Sequence, residues 1–179
     1  MVTLMASEVE TIPAFWRLSE RVATGGQPDA EQIAALRAAG CQVVLNLALP
    51  SSPGALPDEP DLVCRHGMRY LSIPVIWEAP APEDVRRFFA AMEEHRGENV
   101  FVHCIANKRV SAFLYLYRIL QKGEAEESAR ADLHRIWVPE EHWRRFLNEF
   151  LMSSRLDHAV QEPPVAGAGG RHVHGEILS

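Results

Sequence analysis

The chain has 179 residues, a formal net charge of −6, 47% hydrophobic residues and 23% charged residues. These values suit one domain with a sizeable core, and they exclude a fibrous or wholly disordered protein. The acidic balance argues against broad electrostatic binding to nucleic acid, and no run approaches the ~20 apolar residues that cross a bilayer.

Met1 to Glu10 carries two acidic residues and neither a basic start nor a long apolar core, so it reads as neither signal peptide nor membrane anchor. Three cysteines, Cys41, Cys64 and Cys104, are an odd number without metal-ligand spacing. That suits a reducing compartment, and the expectation is a soluble cytoplasmic protein with no membrane or nucleic-acid partner.

Residues 1–20 read as a lead-in, with Phe15 and Trp16 packing onto the domain. Arg21 to Asp29 then suggests a short edge strand, a glycine turn and a helix start. Pro28 to Ala39 places Ile33, Leu36 and Ala39 on one helical face and closes at Gly40. The β-branched run Cys41 to Leu47 reads as a central strand. Ala48 to Asp61, with five prolines or glycines, reads as a loop at that strand's carboxyl end, where α/β sheets border their ligand crevice.

Gly67 to Val75 predicts another strand, followed by a helix whose apolar positions are Val85, Phe88, Phe89 and Met92. Pro82, Glu83 and Asp84 suit its first turn. Val100 to Val102 predicts a short buried strand ending near Cys104, and a helical pattern begins near Ser111 with Ala112, Phe113, Leu116, Ile119 and Leu120. Two more helices are expected, Glu124 to Ile136 and Pro139 to Met152, the last carrying Trp143, Phe146, Leu147 and Phe150. From Ser153 onward the Pro- and Gly-rich composition reads as a flexible tail; His172 and His174 within it are too few ligands for a metal site. The domain therefore spans 21–152, a single α/β unit with a mostly parallel sheet flanked by helices.

The chemistry concentrates at the turn after Cys104. A thiol at a strand-to-helix turn meets unpaired backbone N–H groups and the positive end of the helix macrodipole, which favour a thiolate and cradle an oxyanion. Lys108 and Arg109 add positive charge, and arginine can clamp two oxygens of one anion.

His103-Cys104, a short loop, Arg109 and Ser111 before a helix resemble the signature of the cysteine-dependent protein tyrosine and dual-specificity phosphatases, in a bacterial phosphatase-like branch. The Gly26-Gln27-Pro28 turn, the strand ending in Asn46-Leu47, and Ile136 to Pro139 followed by Trp143 share that resemblance. The family places five residues between cysteine and arginine. Here four, Ile105 to Lys108, precede Arg109, and Val110 stands where the arginine would fall without a gap. Either Arg109 points elsewhere, or a tighter loop still brings it to the anion. Asn107 replaces the usual glycine and is the non-glycine residue most tolerant of positive φ.

The resemblance implies phosphomonoester hydrolysis through a phosphocysteine on Cys104, with Arg109 and a phosphate-binding loop of Ile105, Ala106, Asn107, Lys108 and Val110 holding the oxygens. His103 would tune the thiolate, and Ser111 would assist its departure. Glu78, two residues before Pro80, stands where the family keeps its general acid, usually aspartate; Asp84 is the reserve. Substrates would be a phosphorylated protein or a small phosphomonoester, with no metal or organic cofactor. Cys-x4-Arg also resembles the loop of rhodanese-type sulfurtransferases, where the cysteine carries a persulfide. A phosphatase-like module that binds an anion without turnover is the third reading.

Overall fold

The computed structural model describes residues 8–161. Strands β1 (Trp16–Arg17), β2 (Val22–Gly25), β3 (Val43–Asn46), β4 (Arg69–Ser72) and β5 (Val100–His103) form one sheet in the order β1-β2-β5-β3-β4. Every neighbouring pair is parallel except β1 with β2. The helices are α1 (Ala30–Ala38), α2 (Glu59–Arg65), α3 (Pro82–Glu94), α4 (Lys108–Leu120), α5 (Glu126–Ile136) and α6 (Glu141–Gln161). This is the expected single α/β domain with a mostly parallel sheet.

Local chemistry explains several element starts. Asp29 Oδ1 accepts from the Gln32 N–H at 2.8 Å while Gln32 Oε1 accepts from the Asp29 N–H at 3.0 Å, a capping box that opens α1. Pro82, Glu83 and Asp84 occupy the first turn of α3 and leave Val85, Phe88, Phe89 and Met92 buried.

Side-chain alternation then divides the core in two. Val43 and Leu45 of β3 and Val100 and Val102 of β5 join the larger apolar cluster, with α3, α4, α5 and α6. Val44 and Phe101 face the other way, onto Ile33 and Leu36 of α1, Val63 of α2, and Val9 and Ile12 of the N-terminal segment.

The lead-in is therefore partly structural. It supplies two core residues and β1, where only packing by Phe15 and Trp16 was expected. The stretch read as a loop to Asp61 contains the first residues of α2. The helix after Cys104 begins at Lys108 instead of Ser111, and α6 continues through Gln161, past the boundary expected at 152. The remainder of the expected tail, including His172 and His174, lies outside the described residues. No helix among the described residues is long and apolar enough to cross a membrane.

Candidate active site

β5 ends at His103, and Cys104 follows at 1% exposure, packed into the larger cluster. The loop from Cys104 to Asn107 feeds directly into α4. Its amides are the chemical feature: the N–H groups of Ile105, Ala106, Lys108, Arg109 and Val110 donate to no protein acceptor among the described residues. Four carbonyls around them are occupied. Cys104 O accepts from His103 Nδ1 at 3.1 Å, Ile105 O from the Gln27 N–H at 3.1 Å, Asn107 O from the Ser111 N–H at 3.0 Å, and Lys108 O from the Ser111 hydroxyl at 3.0 Å. A loop with bonded carbonyls and unbonded amides at a helix N-terminus is suited to an oxyanion.

Two backbone features permit this shape. Asn107 is left-handed, with φ 59° and ψ 7°, and its side-chain amide donates to Ala14 O at 2.8 Å and Thr24 Oγ1 at 2.9 Å. The opposing strand end approaches so closely that a Cβ on Gly26 would lie 2.5 Å from Ile105 O. Glycine at 26 is thus a requirement of the loop.

Arg109 is 7% exposed, and its guanidinium donates through Nη1 to Val75 O at 2.9 Å. Val75 N–H bonds Leu47 O, and Leu47 N–H bonds His103 O, so the arginine is anchored at the same carboxyl end of the sheet as Cys104. That is the only protein hydrogen bond of its side chain among the described residues, which leaves further guanidinium donors for an anion. Val110, at the family's arginine position, is fully buried in the larger cluster. Lys108 is exposed, with its ammonium 5.7 Å from the Trp77 ring and 5.4 Å from that of Trp137. Ser111 gives its proton to Lys108 O and accepts from Trp137 Nε1 at 3.1 Å; neither hydrogen bond goes to Cys104.

His103 faces the opposite side of the sheet from Cys104, so it meets that residue only through the backbone carbonyl. Its Nε2 lies 2.5 Å from Oε1 of Glu59, and both side chains are almost wholly buried. Gln27 Nε2 donates to Glu59 Oε2 at 3.0 Å, Asn46 Nδ2 lies 3.4 Å from the same oxygen, and Asn46 Nδ2 also donates to Tyr70 Oη at 3.1 Å. Burial and the nearby Glu59 push the Tyr70 hydroxyl above its ordinary pKa, opposed by the Asn46 bond. Glu59 was not singled out in the sequence, and Gln27 and Asn46 stood there only as residues that carry the resemblance. The signal available was a Pro60-containing helix start with Glu59 and Asp61 in the first turn.

Of the two acid candidates, Glu78 is exposed on the loop between β4 and α3, next to Trp77. Asp84 is half-buried in the first turn of α3, and burial raises its carboxyl pKa against the lowering effect of Arg87. Cys41 is a core thiol, pushed up to about 11 by burial, with Sγ donating to Val43 O at 3.3 Å. No group of three or more His, Cys, Asp or Glu side chains among the described residues is placed to hold a metal ion.

The family model described as DSP-PTPase phosphatase fused to NAD+ kinase matches residues 7–143. A candidate phosphatase of the DUF442 group from Shewanella putrefaciens CN-32 is 37% identical, covering 83% of this chain and 97% of its own, with a TM-score of 0.74. TpbA from P. aeruginosa, in complex with pTyr, is 19% identical over 81% of this chain and 90% of its own, with a TM-score of 0.62. PTPMT1 in complex with PI(5)P is 15% identical over 80% and 98%, with a TM-score of 0.68. At those identities the last two share the fold. No curated protein matches the chain.

Proposed function

The chain belongs to the family of DSP-PTPase phosphatases, and from that premise we propose that it hydrolyses phosphomonoesters through a covalent phosphocysteine on Cys104. The observation that carries the reading is the run of amides, Ile105, Ala106, Lys108, Arg109 and Val110, that have no protein acceptor among the described residues while the carbonyls of Cys104, Ile105, Asn107 and Lys108 are bonded.

In the first step the Cys104 thiolate attacks phosphorus. The S–P bond forms as the bond to the ester oxygen breaks, and Glu78 protonates the departing oxygen. Loop amides and the Arg109 guanidinium hold the equatorial oxygens as charge redistributes. In the second step Glu78 takes a proton from water, which attacks phosphorus; the S–P bond breaks, and inorganic phosphate and the thiolate are released. Ser111 assists this departure if its hydroxyl turns from Lys108 O towards Sγ. The substrate is a phosphorylated protein or a small phosphomonoester.

Turnover of an aryl phosphate by the reduced protein tests this, with Cys104→Ser alongside. The exchange is expected to lower kcat by about 10⁴ or more. Equal turnover by both proteins overturns the role of Cys104. Turnover of a sulfane-sulfur donor with none of the phosphate ester moves the assignment to sulfur transfer.

A further inference from the structure

An anion-binding loop works only if its carbonyl oxygens turn outward, because each one facing the cradle repels the anion. The first two carbonyls here are held outward by separate donors, His103 Nδ1 on Cys104 O and the Gln27 N–H on Ile105 O. Both donors lead to one side chain. Glu59 Oε1 lies 2.5 Å from His103 Nε2, and Glu59 Oε2 accepts from the Gln27 side chain at 3.0 Å.

Proton counting makes the arrangement specific. Cys104 O is an acceptor, so Nδ1 of His103 carries a hydrogen, and the short contact to Glu59 needs another between Nε2 and Oε1. The pair shares two protons and adds no net charge beside the nucleophile, whichever partner holds the second. Glu59 is 1% exposed. A buried ionisable pair is weak evidence for stability, since apolar side chains of similar volume often serve a fold as well.

We infer that Glu59 is a positioning residue. It fixes His103 and Gln27, and through them the outward carbonyls of Cys104 and Ile105, so that the thiolate and the loop amides meet the same phosphoryl group. The inference deepens the phosphatase reading and rests on it.

The test compares Glu59→Leu, Glu59→Gln and Glu59→Asp with the unaltered protein for kcat and KM on an aryl phosphate, with rates counted per folded molecule from a melting curve. Leucine removes both acceptors, and kcat is expected to fall about a hundredfold. Glutamine can donate to His103 Nε2 while its oxygen accepts from Gln27 and Asn46, so it recovers most of that loss. Aspartate keeps the carboxyl group but withdraws it by one methylene, and stays about tenfold down or more. Glu59→Leu and His103→Ala combined lose less than the product of their separate effects, because they act through one contact.

Unaltered kcat in folded Glu59→Leu, or in folded Glu59→Asp should the leucine variant not fold, overturns the inference and leaves the phosphatase reading standing. Fully multiplicative losses with His103→Ala do the same. If the unaltered protein neither turns over the ester nor binds inorganic phosphate, the reading and the inference fall together.

Discussion

The two faces of the sheet are closed by different means. On one, Trp143 packs between Trp77 at 5.3 Å and Phe113 at 6.3 Å, and Phe113 meets Phe88 at 5.7 Å. Apolar packing closes most of that face, with the buried Arg109 and Ser111 at its carboxyl end. On the other, Ile33, Leu36, Val44 and Phe101 form a smaller patch, and at the carboxyl end it gives way to His103, Glu59, Gln27 and Asn46. His103 lies over Phe101 at 5.8 Å with the rings 20° apart, where the apolar patch becomes a polar network. The period of two along β5 puts Cys104 on the first face and His103 on the second. Packing and positioning are therefore open to separate perturbation.

The sharpest division would come from Trp143→Ala. Removing this fully buried ring is expected to cost about 4 kcal/mol of unfolding free energy, read by denaturant titration. A cost near zero would break the assignment of stability to that face. Arg109→Lys keeps the charge and loses the planar fork, and kcat/KM is expected to fall by about 10²–10³. Exchanging Arg109 with Val110 is a poorer test, because it would bury a guanidinium where Val110 has no exposure.

Glu78→Gln is expected to lower kcat about a hundredfold on alkyl phosphates, and less on aryl phosphates, whose leaving group is a weaker base and needs the proton less. Equal losses on both would point away from acid catalysis. The smallest effect belongs to Asp84. Its pKa is raised in the fold, so the folded protein holds that proton more tightly than the unfolded chain. Stability then declines as pH rises from the ordinary value of 3.8 through the raised one. Asp84→Asn removes that part of the decline, which melting temperatures across acid pH would reveal.

What could be read from the chain follows the range of the interactions. The strand before Cys104 and the body of the following helix rest on local periodicity, and they stand where that periodicity put them. The start of α4 was read three residues late, since Asn107 takes the left-handed turn itself and helix begins at once. Glu59 escaped notice because its partner is His103, 44 positions away, and a carboxylate among prolines reads as solvated loop. β1 has two residues, too few for any period to register. The destination of the Arg109 side chain was legible only as an alternative; its bond to Val75 O is made to a residue 34 positions away.

Asn107 has a consequence for how the sequence can change. Glycine would take the same left-handed conformation without strain, yet it would leave Ala14 O and Thr24 Oγ1 without their donor. The asparagine obtains the turn by fastening it to the first strand pair, where glycine would obtain it by freedom alone. Substitutions at Thr24, or at the turn around Ala14, would therefore reach the loop through Asn107.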